Sequence, residues 1–132
     1  MKPETAAHLD KADRCLSNAT VELAGAATQL SLAEDAGRNA YYAAFHAAKA
    51  FLFERTGRTH KRHGSVQTEF NQLAKTEASI DLALRSFLPR AYDFKRIADY
   101  DIGPVGKVSP ATAAAAVAEA TRFVSTIRTL VP

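Results

Sequence analysis

Arginine, tyrosine and histidine recur at four-residue intervals in the run Arg38-Asn39-Ala40-Tyr41-Tyr42-Ala43-Ala44-Phe45-His46. A guanidinium grips phosphate oxygens through a planar fork of donors, and an imidazole with an ordinary pKa of about 6.5 moves protons near neutrality. Beside a phenol, such a pair could handle a phosphate, moving a proton and stabilising charge on the phosphorus oxygens. On this reading Arg38 is the phosphate clamp and His46 the base or acid. Tyr42 orients His46 or the sugar phosphate, and neither metal nor cofactor is required. The plainer reading makes His46 a core histidine bonded to Tyr42 or Asp99, and Arg38 a charge paired with Asp35 or Asp99 because an enclosed charge needs a partner.

Both readings require a helix. At about 100° and 1.5 Å per residue, Arg38, Tyr42 and His46 fall within roughly 80° of one another and span about 12 Å of axis. Tyr41, Phe45 and Phe51 occupy the other faces, so this helix is mostly enclosed. Alanine is abundant, valine and isoleucine are sparse, and no period-two alternation persists. The chain is therefore expected to be all-α.

The apolar stripe Leu9, Ala12, Leu16, Ala19, Leu23 and Ala26 predicts a first helix from about Pro3 to Gln29. A second starts near Ser31, where Ser31 and Glu34 form a capping-box pattern, and stops by Gly57. Residues 57 to 63 are a basic connector. Val66, Phe70 and Leu73 support a third helix to about Lys75. A fourth runs from Ser79 or Ile80 to about Asp99, with a kink or break at Pro89. Tyr100 to Lys107, containing Gly103, Pro104 and Gly106, is expected to be a loop. Ser109 and Pro110 then open a last helix with a preferred cap and first residue. Five helical pieces with mostly short connections favour an antiparallel bundle of four or five helices, forming one domain over residues 1–132.

The chain has 132 residues, 47% of them hydrophobic and 23% charged, the balance of one globular unit with a real core. Cys15 is the only cysteine, which excludes an internal disulfide and a cysteine metal cluster and suits a reducing compartment. No apolar run approaches the roughly 20 residues that span a bilayer, and no basic start precedes an apolar core, so the expected location is the cytoplasm, with no membrane partner. The formal net charge is only +3, with a pI near 9.2. Distribution is more informative. Arg58, Lys61, Arg62 and His63 lie in one short stretch that forms either a solvated loop or a phosphate-binding rim, and His63 could instead cap the third helix.

Three ordered motifs carry a family likeness. The run from Arg38 to His46, then His63-Gly64-Ser65-Val66, then Arg96-Ile97-Ala98-Asp99-Tyr100-Asp101, resembles the HEPN domain proteins, and specifically their small stand-alone bacterial and archaeal subfamily. The resemblance spans nearly the whole chain. It implies a HEPN-type bundle that commonly forms a homodimer and works on RNA or nucleotide. Many such proteins are metal-independent ribonuclease toxins paired with a minimal nucleotidyltransferase. Others bind nucleotides or assist a partner without catalysis. Ribonuclease members place four to six residues between an arginine, often followed by a polar residue, and a histidine. Arg38-Asn39 begins that way, but seven residues separate Arg38 from His46; Arg55 to His60 and Arg58 to His63 have the four-residue gap. The implied site comprises Arg38, Tyr42 and His46, with Asn39, Arg58, Lys61, Arg62, His63 and Arg96 as nucleotide or RNA contacts. Asp99 and Tyr100 either orient Arg38 or His46 from a facing helix or simply end their own helix in a polar network. As a plainer alternative, the chain is a helical interaction module.

Overall fold

The computed structural model describes residues 1–103 and 107–132. Six helical segments occur among them: α1 (Pro3–Gly25), α2 (Ser31–Thr56), α3 (His63–Ala74), the single turn α4 (Leu82–Arg85), α5 (Phe87–Tyr100) and α6 (Pro110–Leu130). No strand occurs among the described residues, so the all-α expectation holds.

Helix α2 is the axle of the bundle and packs against α1, α3, α5 and α6. Its alanines make this feasible. Ala33, Ala36, Ala40, Ala43, Ala44, Ala47, Ala48 and Ala50 are all buried, and their small side chains let four neighbours approach one rod. A close approach occurs at Gly37, where a Cβ atom would stand 3.1–3.3 Å from the Phe94 ring of α5. That contact brings the residue after Gly37, Arg38, within reach of the end of α5. Further along, Phe51, Phe70, Phe87 and Phe123 fill the core in a chain of ring contacts 5.2–6.2 Å between centroids. Truncating any one to alanine would cost about 3–5 kcal/mol, so this end of the bundle anchors the rest.

Several boundaries differ from the sequence reading, each for a local reason. Helix α1 stops at Gly25 rather than Gln29, because the chain turns through Ala26–Thr28 to start α2. Ser31 stands one place inside α2, whose N-cap is Leu30 in helical conformation, so the capping-box register is not realised. Helix α3 begins at His63, the last residue of the expected connector, with Arg62 as an extended N-cap that makes no side-chain cap bond. The expected fourth helix breaks at Ser86 rather than at Pro89. Pro89 becomes the third residue of α5, where a missing amide proton breaks no helical bond. Asp81 caps α4 by accepting from the Leu84 amide at 2.9 Å. Gly57 ends α2 at φ +70°, a left-handed cap that suits glycine. Ser109 accepts from the Thr112 amide at 3.0 Å with Pro110 first in α6, as expected. Within the expected loop, Tyr100 instead closes α5, and Pro104 to Gly106 lie outside the described residues.

Candidate phosphate-binding site

Arg38, Asn39, Tyr42 and His46 line one cleft of about 370 Å³ between α1 and α2, whose other wall is Lys11, Cys15 and Asn18. The shared helical side expected from the spacing is therefore real. The Arg38 guanidinium lies 5.1 Å from the centre of the Tyr42 ring, and the Tyr42 and His46 rings stack at 6.2 Å. Asn39 donates to Glu22 Oε1 at 2.7 Å, which tethers the mouth of the cleft to α1.

Arg38 is held from behind. Its Nε donates to Asp99 Oδ1 at 2.6 Å, while its two terminal amines have no hydrogen bond among the described residues. The guanidinium is thus fixed along one edge and open on the other, the geometry of a preorganised clamp. Asp99 also takes Lys95 Nζ at 3.2 Å, and Lys95 donates to the Tyr100 hydroxyl at 3.1 Å. Burial pushes the Asp99 carboxyl up, but hydrogen bonds from Lys95 and Arg38 outweigh it and hold the group below its ordinary range. Lys95 is only 6% exposed, and the Tyr100 bond, with Asp99, outweighs burial and keeps its ammonium charged. Asp99 and Tyr100 therefore orient Arg38, directly and through Lys95, and do not reach His46.

His46 sits in an unusual electrostatic setting. Its Nδ1 is enclosed with no hydrogen-bond partner among the described residues, so neither Tyr42 nor Asp99 occupies that nitrogen. Burial, then the charges of Lys49, Lys11, His8 and Arg14, push its pKa down to about 4. At neutral pH the imidazole is uncharged, able to accept a proton or hydrogen bond but poorly supplied as an acid. An anion in the cleft would offset those surrounding cations and raise the pKa again.

His63 occupies neither of its expected places. Its Nδ1 meets the Tyr41 hydroxyl at 2.6 Å and its ring stacks on Phe45 at 4.6 Å, with Tyr92 5.4 Å away. It is the first residue of α3, not its cap, and is turned into an aromatic layer rather than out toward Arg58, Lys61 and Arg62. Burial, then Lys95 and Lys49, lower its pKa, while burial raises that of Tyr41, so the pair is neutral. The layer backs Tyr42, whose ring is 5.4 Å from Tyr41 and 5.9 Å from His63.

Arg58, Lys61 and Arg62 are exposed on the connector and form no ion pair among the described residues. Lys61 is close enough to Lys49 to help burial lower that lysine's pKa, which links the connector electrostatically to the cleft. Arg96 does not join the site. It pairs with Asp93 at 3.0 Å and is absent from the cleft lining. Among the described residues no three His, Cys, Asp or Glu side chains converge as a metal would require.

A HEPN domain model matches residues 5–130 of the 132. The chain belongs to the HEPN family. No curated protein matches it. Membership in the HEPN family implies a nucleotide- or RNA-related function. Among the described residues no helix is long and apolar enough to cross a membrane.

The motifs that carried the resemblance meet in space: Arg38 pairs with Asp99, and Tyr41 with His63. The contribution of α1 was missed. His8, Lys11, Cys15 and Asn18 recur at three- and four-residue spacing beside the apolar stripe, so a pass over the polar face of α1 would have found it. The role of Lys95 is not legible in the sequence, because a single sequence does not show that a lysine is buried.

Proposed function

We propose that the α1–α2 cleft of this HEPN protein binds the phosphate of RNA or of a nucleotide. The observation that carries this reading is a set of cations without carboxylate partners around an uncharged imidazole. Lys11, Arg14 and Lys49 form no ion pair among the described residues, yet all three act electrostatically on His46. Unneutralised charge that a protein keeps together is available to an anion. The open edge of Arg38 and the Lys11 ammonium take the phosphate oxygens, Asn18 and Asn39 offer amides, and Tyr42 and His46 offer ring faces. Arg58, Lys61 and Arg62 extend the contact along the backbone of a strand. Titrating labelled single-stranded RNA against wild type and Arg38→Ala tests this: the variant should bind at least about tenfold more weakly. Equal affinity would remove Arg38 from the site.

A second reading, metal-independent cleavage, is favoured by the nearness of an unprotonated imidazole to a fixed guanidinium. On it, His46 takes the 2′-hydroxyl proton, Arg38 stabilises the phosphorus oxygens, and a second copy in a homodimer supplies the acid that His46 at about pKa 4 cannot. Such an enzyme would act as a cytoplasmic toxin restrained by a nucleotidyltransferase partner. Without cleavage, the same surface suits an accessory subunit that presents a nucleotide to that partner. Incubation with total RNA in a metal chelator, beside His46→Ala and Arg38→Ala, separates these. Cleavage lost in both variants supports the enzyme; no cleavage by wild type, or equal cleavage by all three, leaves binding alone.

A further inference from the structure

A second cleft, of about 430 Å³, opens between α3, α4 and the first turn of α5, and it shares no lining residue with the α1–α2 cleft. Its size is that of a small-molecule site. On the α3 side it presents the carboxamides of Gln67, Asn71 and Gln72. Asn71 and Gln72 are exposed and have no hydrogen-bond partner among the described residues. Lys75 and Arg85 also line the cleft, and no carboxylate does. Neither cation forms an ion pair among the described residues, although Arg90, Arg122 and Arg128 each reach a carboxylate elsewhere in the chain. The Arg85 Nε is enclosed with no hydrogen-bond partner among the described residues, which an ordinary solvated helix face would not leave behind. Leu82, 70% exposed, and the exposed Pro89 add an apolar ledge.

These features complement three parts of one molecule. A nucleobase has a flat face that covers apolar surface and an edge of alternating donors and acceptors that carboxamides read, best at the N6 and N7 atoms of adenine. Its phosphate suits an arginine fork beside a lysine. We propose that this cleft binds a nucleotide, with the base against Leu82 and Pro89, its edge on Asn71 and Gln72, and its phosphate on Arg85 and Lys75. The proposal is independent of the α1–α2 reading. It applies equally to a free nucleotide and to one residue of an RNA chain.

Isothermal titration of the full chain decides it, using adenosine monophosphate, its halves adenosine and inorganic phosphate, and a short adenosine oligonucleotide with blocked ends. Adenosine monophosphate or the oligonucleotide should bind, at least about tenfold tighter than either half. Binding should fall by at least about tenfold in Arg85→Gln and in Leu82→Glu, and by less than about twofold in Arg128→Ala. Leu82 is too exposed for its replacement to disturb the core, so Leu82→Glu remains informative even where Arg85→Gln lowers the melting temperature. Tight binding of the monophosphate identifies a free nucleotide; tight binding of the oligonucleotide alone identifies a residue within RNA. No saturable binding of either probe would overturn the proposal. So would binding that ignores Arg85→Gln and Leu82→Glu but is lost in Lys11→Ala, which would place the ligand between α1 and α2 and leave that first reading standing.

Discussion

Every cation of α5 and α6 has a carboxylate: Arg90 meets Glu119, Lys95 meets Asp99, Arg96 meets Asp93, Arg122 meets Asp81 and Arg128 meets Asp13. Across α1, α2 and the connector, Lys11, Arg14, Lys49, Arg58, Lys61 and Arg62 meet none among the described residues; Arg38 is anchored by one edge, and Arg55, at the far end of α2, meets Glu77. A paired surface cation is electrically quiet beyond its partner and adds about 0–1 kcal/mol to stability. An unpaired group of cations projects its field and attracts a polyanion. The formal charge of +3 conceals this division, because it sums the two surfaces together.

The largest test of that contrast is removal of charge from each side in turn. Replacing Lys11, Arg38 and Lys49 together by alanine is expected to weaken single-stranded RNA binding about 100-fold by fluorescence anisotropy. Replacing Arg90, Arg96 and Arg128 together should change it by less than about threefold. Similar losses in both would break the contrast. A smaller effect sharpens the role of the clamp. Asp99→Asn deprives both Arg38 and the buried Lys95 of their anion, so it should lower stability by about 1–3 kcal/mol in urea and weaken RNA binding severalfold. Unchanged stability would mean that Lys95 needs only Tyr100.

The pH dependence follows from His46. Its folded pKa of about 4 lies below the unfolded value, so between about pH 6.5 and 4 the unfolded chain binds more protons. The stability it allows is fully present above that window and is lost as pH falls through it. The urea midpoint of wild type should therefore drop more between pH 7 and 4.5 than that of His46→Gln. Equal drops would show that His46 is not held neutral by its surroundings. The smallest effect belongs to the paired surface, where Arg96→Ala should alter stability by less than about 0.5 kcal/mol.

Periodicity made the bundle and the Arg38–Tyr42–His46 side legible, because both depend only on helical spacing within one segment. The Arg38–Asp99 pair was open to inference as one of two carboxylate partners, since a charge on an enclosed helix must be paired. The boundary at Ser86 was not, because Pro89 sits in the first turn of α5, where proline is tolerated, and so does not mark the break. The setting of His63 was hidden for another reason. Its neighbours on the connector are basic and exposed, and only the packing of α3 on α2 turns its ring onto Phe45. The α1 wall of the cleft was legible but unread, and the enclosed Arg85 nitrogen depends on tertiary packing that no spacing reveals.

The salt dependence of single-stranded RNA binding tests the central claim most directly, because each lysine in contact with a phosphate steepens the slope of log affinity against log salt by about 0.7. Measured between about 50 and 200 mM salt, the slope of Lys11→Ala/Lys49→Ala/Lys61→Ala should be shallower than wild type by about 2, while Arg90→Ala/Arg96→Ala/Arg128→Ala keeps the wild-type slope. An unaltered slope in the lysine variant, or an equal loss in the arginine variant, would contradict the assignment of the α1–α2 face as the phosphate-binding surface.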